Sequence, residues 1–120
     1  MKKALPFLFM GFVLFQTVSA GWLGIVIQDI NPNLSIRFGL RVKAGALIMR
    51  VQFGSPADKA GLMEGDVIVV LNDKKIPDSR ALQQEISKIS PGGKAKITLI
   101  RHRREKVIEV FLGETPRDVA

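Results

Sequence analysis

Ser55, Asp66 and His102 are the residue types from which hydrolytic enzymes build an active site. Nucleophilic catalysis needs a base beside the nucleophile and a third group that orients the base. His102 is the only histidine and stands in the charged stretch 101–104, where an imidazole would be solvated. Ser55 lacks the flanking glycines of a nucleophile elbow and is typical of a helix cap, while Asp66 follows a glycine and is typical of a turn. We therefore expect no catalytic residues and no enzyme.

The composition also argues against metal or cofactor chemistry. With no cysteine and a single histidine, the chain can build neither a thiolate site nor a histidine-rich site. Its glycines do not have the spacing of a phosphate-binding loop. The prediction is a protein without metal ligands and without a cofactor.

One glycine instead points to binding. Gly24 stands between Leu23 and Ile25, at the start of a segment in which apolar residues alternate as in a half-buried strand. Glycine weakens a strand, so its presence there is typical of a place where another group approaches the backbone closely. The stretch around Gly24 is therefore a candidate ligand-binding segment.

Residues 1–20 are typical of a secretory signal peptide, with two lysines, an apolar core and small residues at the end. We expect cleavage after Ala20, and loss of the two lysines takes the formal charge from +7 to +5. The alternative is an uncleaved membrane anchor formed by residues 4–18, although its apolar core is shorter than the roughly 20 residues of a comfortable spanning helix. The protein is therefore expected in the periplasm or outside the cell.

The periodicity of the remaining chain predicts about five strands and two or three helices. Short helices are expected after caps at Asn31 and Ser55, each followed by proline and ended by glycine, and a longer helix from Asp78 or Ser79 to Ile89. The predicted fold class is α+β, mainly β: a partly open barrel or sandwich of five to six strands capped by these helices. The strands are expected at 23–28, 46–53, 67–71, 96–101 and 106–112. The strand 67–71 is an almost continuous apolar run and is expected to be buried on both faces, and a polar turn is expected after it at 72–75.

Charge is concentrated in the predicted hairpin 94–106, whose basic residues are Lys94, Lys96, Arg101, Arg103, Arg104 and Lys106. Such a cluster attracts phosphates or anionic lipid head groups, although a solvated hairpin is the simpler interpretation. Nucleic acid is not expected as a partner, because the chain lacks tyrosine and has no row of aromatic residues for base stacking.

Three motifs then occur in the order and spacing found in PDZ domains: GSPADKAGL at 54–62, GDVI at 65–68 and LNDKKI at 71–76. The sequence resembles the PDZ domains of bacterial HtrA-type (high-temperature-requirement) serine proteases, but without the protease domain. On this resemblance we assign residues 21–113 to a PDZ domain and 114–120 to a flexible tail.

The resemblance implies a groove that binds peptides. In PDZ domains an X-Φ-G-Φ loop holds the terminal carboxylate of the peptide, and this loop would be formed here by Trp22, Leu23, Gly24 and Ile25. The peptide would add as a strand to segment 25–28, opposite the helix 79–89. The groove residues implied in this way are Ile27, Ser79, Gln83 and Ile86, of which Ile27 and Ile86 are equally compatible with a purely structural place in the core. Leu82 and Ile89, on the same helix, would turn to the core. One departure is the absence of the arginine or lysine that many PDZ domains carry shortly before the loop.

The sequence thus predicts a non-catalytic PDZ module of the cell envelope that captures apolar C-termini or extended segments by strand addition. Two alternatives stay open. One is a membrane-surface or structural module whose basic hairpin docks on anionic lipid, and the other is an adaptor subunit of a separate envelope protease.

Overall fold

The computed structural model describes residues 21–116, so the predicted signal or anchor segment 1–20 and positions 117–120 of the predicted tail lie outside the described residues. Within 21–116 the chain forms six strands and three helices. In chain order they are β1 (Ile25–Asp29), α1 (Pro32–Phe38), β2 (Ala46–Val51), α2 (Pro56–Ala60), β3 (Val67–Leu71), β4 (Lys74–Lys75), α3 (Ser79–Ile86), β5 (Lys94–Arg101) and β6 (Arg104–Phe111).

The strands form one antiparallel sheet in the order β1-β2-β3-β5-β6, with β4 beside β3. An isolated bridge between Trp22 and Gly113 joins the chain before β1 to the chain after β6, with N–H···O distances of 2.8 and 3.0 Å. This bridge curls the sheet toward closure. The predicted mainly-β architecture of five to six strands with two or three helices is confirmed.

The two short helices begin and end where their sequence signals indicate. The side chains of Asn31 and Ser55 each accept a hydrogen bond from the amide three residues later, at 2.9 and 3.2 Å. Proline occupies the first helical position of both, and Gly39 and Gly61 end them with left-handed φ angles of 64° and 94°.

The third helix is shorter than the sequence predicts. Asp78, rather than Ser79, provides its cap and accepts a hydrogen bond from the amide of Ala81 at 2.8 Å. The helix ends at Ile86 instead of Ile89, because the chain continues in tighter turns, in which the amide of Ile89 donates to the carbonyl of Ile86 at 3.0 Å.

The last two strands are longer than predicted. β5 begins at Lys94 rather than at position 96, and β6 begins at Arg104 because the turn between them consists of only two residues, His102 and Arg103. The predicted polar turn at 72–75 also contains the short strand β4. These differences do not change the architecture.

The core lies between the sheet and helices α2 and α3. Its largest fully buried side chains include Ile68, Leu71, Leu82, Ile97 and Leu99. The predicted burial of β3 on both faces holds for its ends, whereas its middle residues at 69 and 70 are half-buried. Among residues 21–116, no helix has the length and hydropathy needed to span a membrane.

Candidate functional site: the groove between β1 and α3

Strand β1 is the outermost strand at one end of the sheet and pairs with β2 along one side only. Its side chains alternate, so that Ile25 and Ile27 are half-buried against the core while Val26 and Gln28 are exposed. The side of β1 away from β2 faces α3. A strand edge of this kind leaves main-chain groups free to pair with an added strand.

The loop that precedes β1 is held by its carbonyl groups. The carbonyl of Leu23 accepts from the amide of Ala57 at 3.0 Å, and that of Gly24 accepts from the amide of Gln52 at 2.9 Å. Both loop residues are buried, yet within 21–116 their own N–H groups donate to no acceptor. Because buried amides are nearly always paired, two adjacent free N–H groups indicate a place for an external acceptor.

Gly24 also has a structural reason to be glycine. Its φ angle is +85°, and a Cβ atom built there would overlap the side chain of Ser55, the N-cap of α2. The sequence predicts that another group approaches this backbone closely. In the structure one such group belongs to the protein itself, because the loop packs directly on the start of α2.

A cavity of about 180 Å³ lies between this loop, β1 and α3. Seven of the eight predicted site residues line it, together with Gly21 and Leu82, which the prediction does not include. Leu82 was assigned to the core, and it is both fully buried and part of the floor of the cavity. The full lining is Gly21, Trp22, Leu23, Gly24, Ile25, Ile27, Leu82, Gln83 and Ile86, and none of these side chains is charged.

The eighth predicted residue, Ser79, lies outside this lining at the first position of α3. Its amide donates to the carboxylate of Asp29 at 2.8 Å, which ties the end of β1 to the start of the helix. This amide holds the pKa of Asp29 below its ordinary value. The prediction omits Asp29, although strand alternation places it on the same face as Ile25 and Ile27.

The groups considered for catalysis have structural partners. Ser55 caps α2, and His102 is exposed at the tip of the β5–β6 hairpin. Asp66 is buried and accepts two hydrogen bonds from Arg101, at 2.8 and 2.7 Å, and one from the amide of Met63 at 2.9 Å. The hydrogen bonds to Asp66, together with its negative charge, raise the pKa of Arg101 above its ordinary value. Arg101 is therefore not the free surface cation that the charge pattern suggested.

A second cation of the predicted hairpin is also paired, because the ammonium of Lys94 lies 3.5 Å from the carboxylate of Glu109. In the part of the chain that the structure describes, no three His, Cys, Asp or Glu side chains come close enough together to hold a metal ion. The groove between β1 and α3 is therefore the strongest candidate for a functional site.

An open antiparallel sheet with a free edge strand facing a helix is the arrangement found in PDZ domains. The chain belongs to the PDZ domain family, whose model matches residues 21–112. It matches the PDZ region of DegP/HtrA-type proteases, as the sequence predicted.

Two curated relatives show this match. A probable periplasmic serine endoprotease DegP-like of Hahella chejuensis is 44% identical over 101 residues, which cover 84% of this chain and 22% of that protein. The protein of the same name in Rhizobium meliloti is 37% identical over 102 residues, covering 85% and 20%. The chain thus spans about a fifth of the length of these relatives.

Solved structures agree with the fold. The HtrA-type protease AlgW with a decapeptide superimposes with a TM-score of 0.76 at 28% identity, covering 82% of this chain and 30% of AlgW. The HtrA3 PDZ domain bound to a phage-derived ligand, FGRWV, gives a TM-score of 0.68 at 24% identity, covering 79% and 86%. The second comparison supports the fold alone.

Proposed function

We propose that this PDZ domain captures protein C-termini that end in a bulky apolar residue. The observation that carries the proposal is the pair of amides at Leu23 and Gly24, which have no acceptor among residues 21–116 and belong to the lining of an apolar cavity. A terminal carboxylate supplies the two oxygen acceptors that these amides lack. The peptide then extends along the free edge of β1 and pairs with it as an added strand.

The size of the cavity selects the terminal residue. A cavity of roughly 150 Å³ accepts a benzene-sized group, so about 180 Å³ accommodates one side chain of the size of Val, Ile, Leu or Phe. Because the lining has no charge, a charged terminal side chain would lose its hydration without a partner. For an open groove of this kind we expect micromolar affinity, which is equivalent to a binding free energy of about −8 kcal/mol.

The loop would hold the carboxylate through main-chain amides, since the cavity has no lysine or arginine among its described lining residues. Trp22 contributes to the same lining, and its hydrogen bonds with Gly113 fix the loop to the end of β6. Binding should therefore depend only weakly on ionic strength, in contrast to attraction by a charged surface.

Ser79 sets a weaker preference farther along the peptide. Its hydroxyl oxygen is buried and makes no hydrogen bond within residues 21–116. Serine stands where many PDZ domains carry a histidine that reads a hydroxyl two residues before the end of the peptide. Because serine is shorter, we propose a modest preference for Ser or Thr there and tolerance of apolar side chains.

The module acts in this proposal as a non-catalytic binding subunit of the cell envelope. The relatives carry names that place them in the periplasm, and a PDZ domain alone is non-catalytic. The relatives are named as proteases, so a separate envelope protease is the proposed partner for an adaptor role. Docking of the hairpin on lipid is the weaker alternative, because Lys94 and Arg101 are engaged within the chain.

A library of peptides with free C-termini tests this function. Selected peptides should end in Val, Ile, Leu or Phe, and their affinity should change little between low and high salt. Selection of internal sequences with no common terminal residue would contradict capture of the carboxylate.

A further inference from the structure

A second and larger cavity, of about 650 Å³, lies away from the groove. It is enclosed by the chain after α1, the turn before β3 and the tip of the β5–β6 hairpin, with residues 38–42, 63–66 and 100–103 as its lining. Each strand of the hairpin has eight residues, or roughly 25 Å, and Gly113 beside the groove loop follows its opposite end. Occupants of the cavity and of the groove would therefore not overlap.

The floor of this cavity is apolar. Phe38, Leu40, Val42 and Ile100 line it and pack on the smaller core cluster of the domain. Met63 also lines it and is 53% exposed. The floor thus offers a surface for an apolar side chain of a partner.

The rim of the cavity is predominantly basic. Arg41 and Arg103 are exposed cations there, Glu64 is the one exposed acid among the lining residues, and the exposed His102 counts as neutral. The remaining lining charges cancel, because Arg101 forms its two-bonded ion pair with buried Asp66. Further cations flank these segments in the sequence at positions 37, 43 and 104. The cavity is therefore complementary to an anionic group.

The backbone at the hairpin tip is strained. His102 and Arg103 form a two-residue turn between paired Arg101 and Arg104, and both have positive φ angles, 52° and 67°. Such turns favour Asn-Gly, because residues with a branched or long side chain are strained in this conformation. Strain of this kind clusters at functional sites, and here both strained residues line the cavity, one of them the cation Arg103.

We propose that this cavity binds an acidic protein segment that carries a bulky apolar residue, with the apolar side chain on the floor and the carboxylates at the rim. The concave shape fits a protruding segment better than the plane of a bilayer. Because the cavity and the groove are separate, the domain would hold two different chains at the same time.

The probe is a peptide blocked at both ends, acetyl-Glu-Leu-Glu-Phe-Glu-amide, which cannot offer a terminal carboxylate to the groove. Titrated into the isotope-labelled protein, it should shift the amide resonances of residues 39–42, 63–66 and 101–103, and leave those of 22–25 unchanged. The same peptide with glutamine for glutamate should bind at least tenfold more weakly. Equal affinity of the two peptides, or shifts confined to the groove, would overturn the proposal.

A variant that relieves the strain separates binding from folding. His102→Asn with Arg103→Gly should raise the melting temperature and weaken the acidic peptide at least fivefold, while binding of a peptide with a free apolar C-terminus stays the same. Lys75→Asn removes one positive charge from the exposed short strand β4, which does not line either cavity, and should leave both affinities unchanged. Unchanged binding of the acidic peptide to the hairpin variant would refute the assignment.

The same resonances distinguish a membrane from a protein segment. Vesicles of phosphatidylglycerol should leave residues 39–42, 63–66 and 101–103 unperturbed. If the vesicles shift them and the acidic peptide does not, the cavity contacts anionic lipid and the proposed protein segment is wrong.

Discussion

Replacement of Arg101 by methionine should lower the stability of the domain more than most substitutions of partly exposed residues. The guanidinium donates to both oxygens of Asp66 at 2.8 and 2.7 Å and to the carbonyl of Gly61 at 2.8 Å. The side chain of Asp66 is only 1% exposed, so Arg101→Met leaves a buried carboxylate without its counter-ion.

Breaking a buried pair by removing one partner costs about 3–5 kcal/mol, whereas an exposed pair contributes about 0–1 kcal/mol. The arginine side chain is 18% exposed, which places this pair on the buried side of that comparison. A loss of this size is a large part of the roughly 5–15 kcal/mol by which small domains are stable.

Urea unfolding of Arg101→Met and of the double variant Asp66→Asn with Arg101→Met measures the change in free energy of unfolding, provided that the m-value is the same for all variants. The double variant should recover much of the lost stability, because its neutral amide no longer needs a counter-ion. A loss below about 1 kcal/mol for Arg101→Met would show that the pair behaves as a surface contact, and the reasoning would be refuted.

Three further predictions use the core, the loop and the end of the groove. Ile68→Ala should lower the free energy of unfolding by about 2–5 kcal/mol, because Ile68 is fully buried. His102→Ala should change neither stability nor groove binding appreciably, and the reverse order of effects would mean that the strand assignment fails. Gly24→Ala should destabilise the domain more than Gly54→Ala and should weaken peptide binding. Both glycines have positive φ angles, but only at Gly24 would the added Cβ atom overlap another side chain, so equal effects would argue against the packing of the loop on α2. Because the pKa of Asp29 is lowered, its contribution to folding stability is present above about pH 3.8 and is lost as the pH falls through the folded-state pKa. Asp29→Asn should therefore reduce the fall of the melting temperature at acid pH, and identical profiles of melting temperature against pH would exclude the contact with α3.

Local signals in the sequence were sufficient for the elements that rest on local chemistry. The caps at Asn31 and Ser55, and the glycines that end both short helices, were predicted because capping depends on residues three or four apart. The end of α3 was misplaced, because Ile89 continues the apolar spacing although the backbone has already tightened into turns.

Contacts between distant residues could not be predicted in the same way. The partner of Asp66 lies 35 residues away, and the charge pattern alone made Arg101 look like one cation of a solvated hairpin. The sequence indicated a close approach to the backbone of Gly24, but the contact with the cap of α2 depends on how the loop folds back. The groove residues followed from the family resemblance together with strand alternation, whereas Asp29 required the observed position of the start of α3.

The central claim is that the amides of Leu23 and Gly24 hold a peptide carboxylate. One pair of titrations tests it directly: a peptide ending in Leu-Val with a free carboxylate and the same peptide with a C-terminal amide, followed through the amide resonances of these two residues. We expect the free acid to bind with micromolar affinity and to shift both resonances strongly, and the amidated peptide to bind at least tenfold more weakly. Equal affinities with no shift at Leu23 and Gly24 would contradict the account.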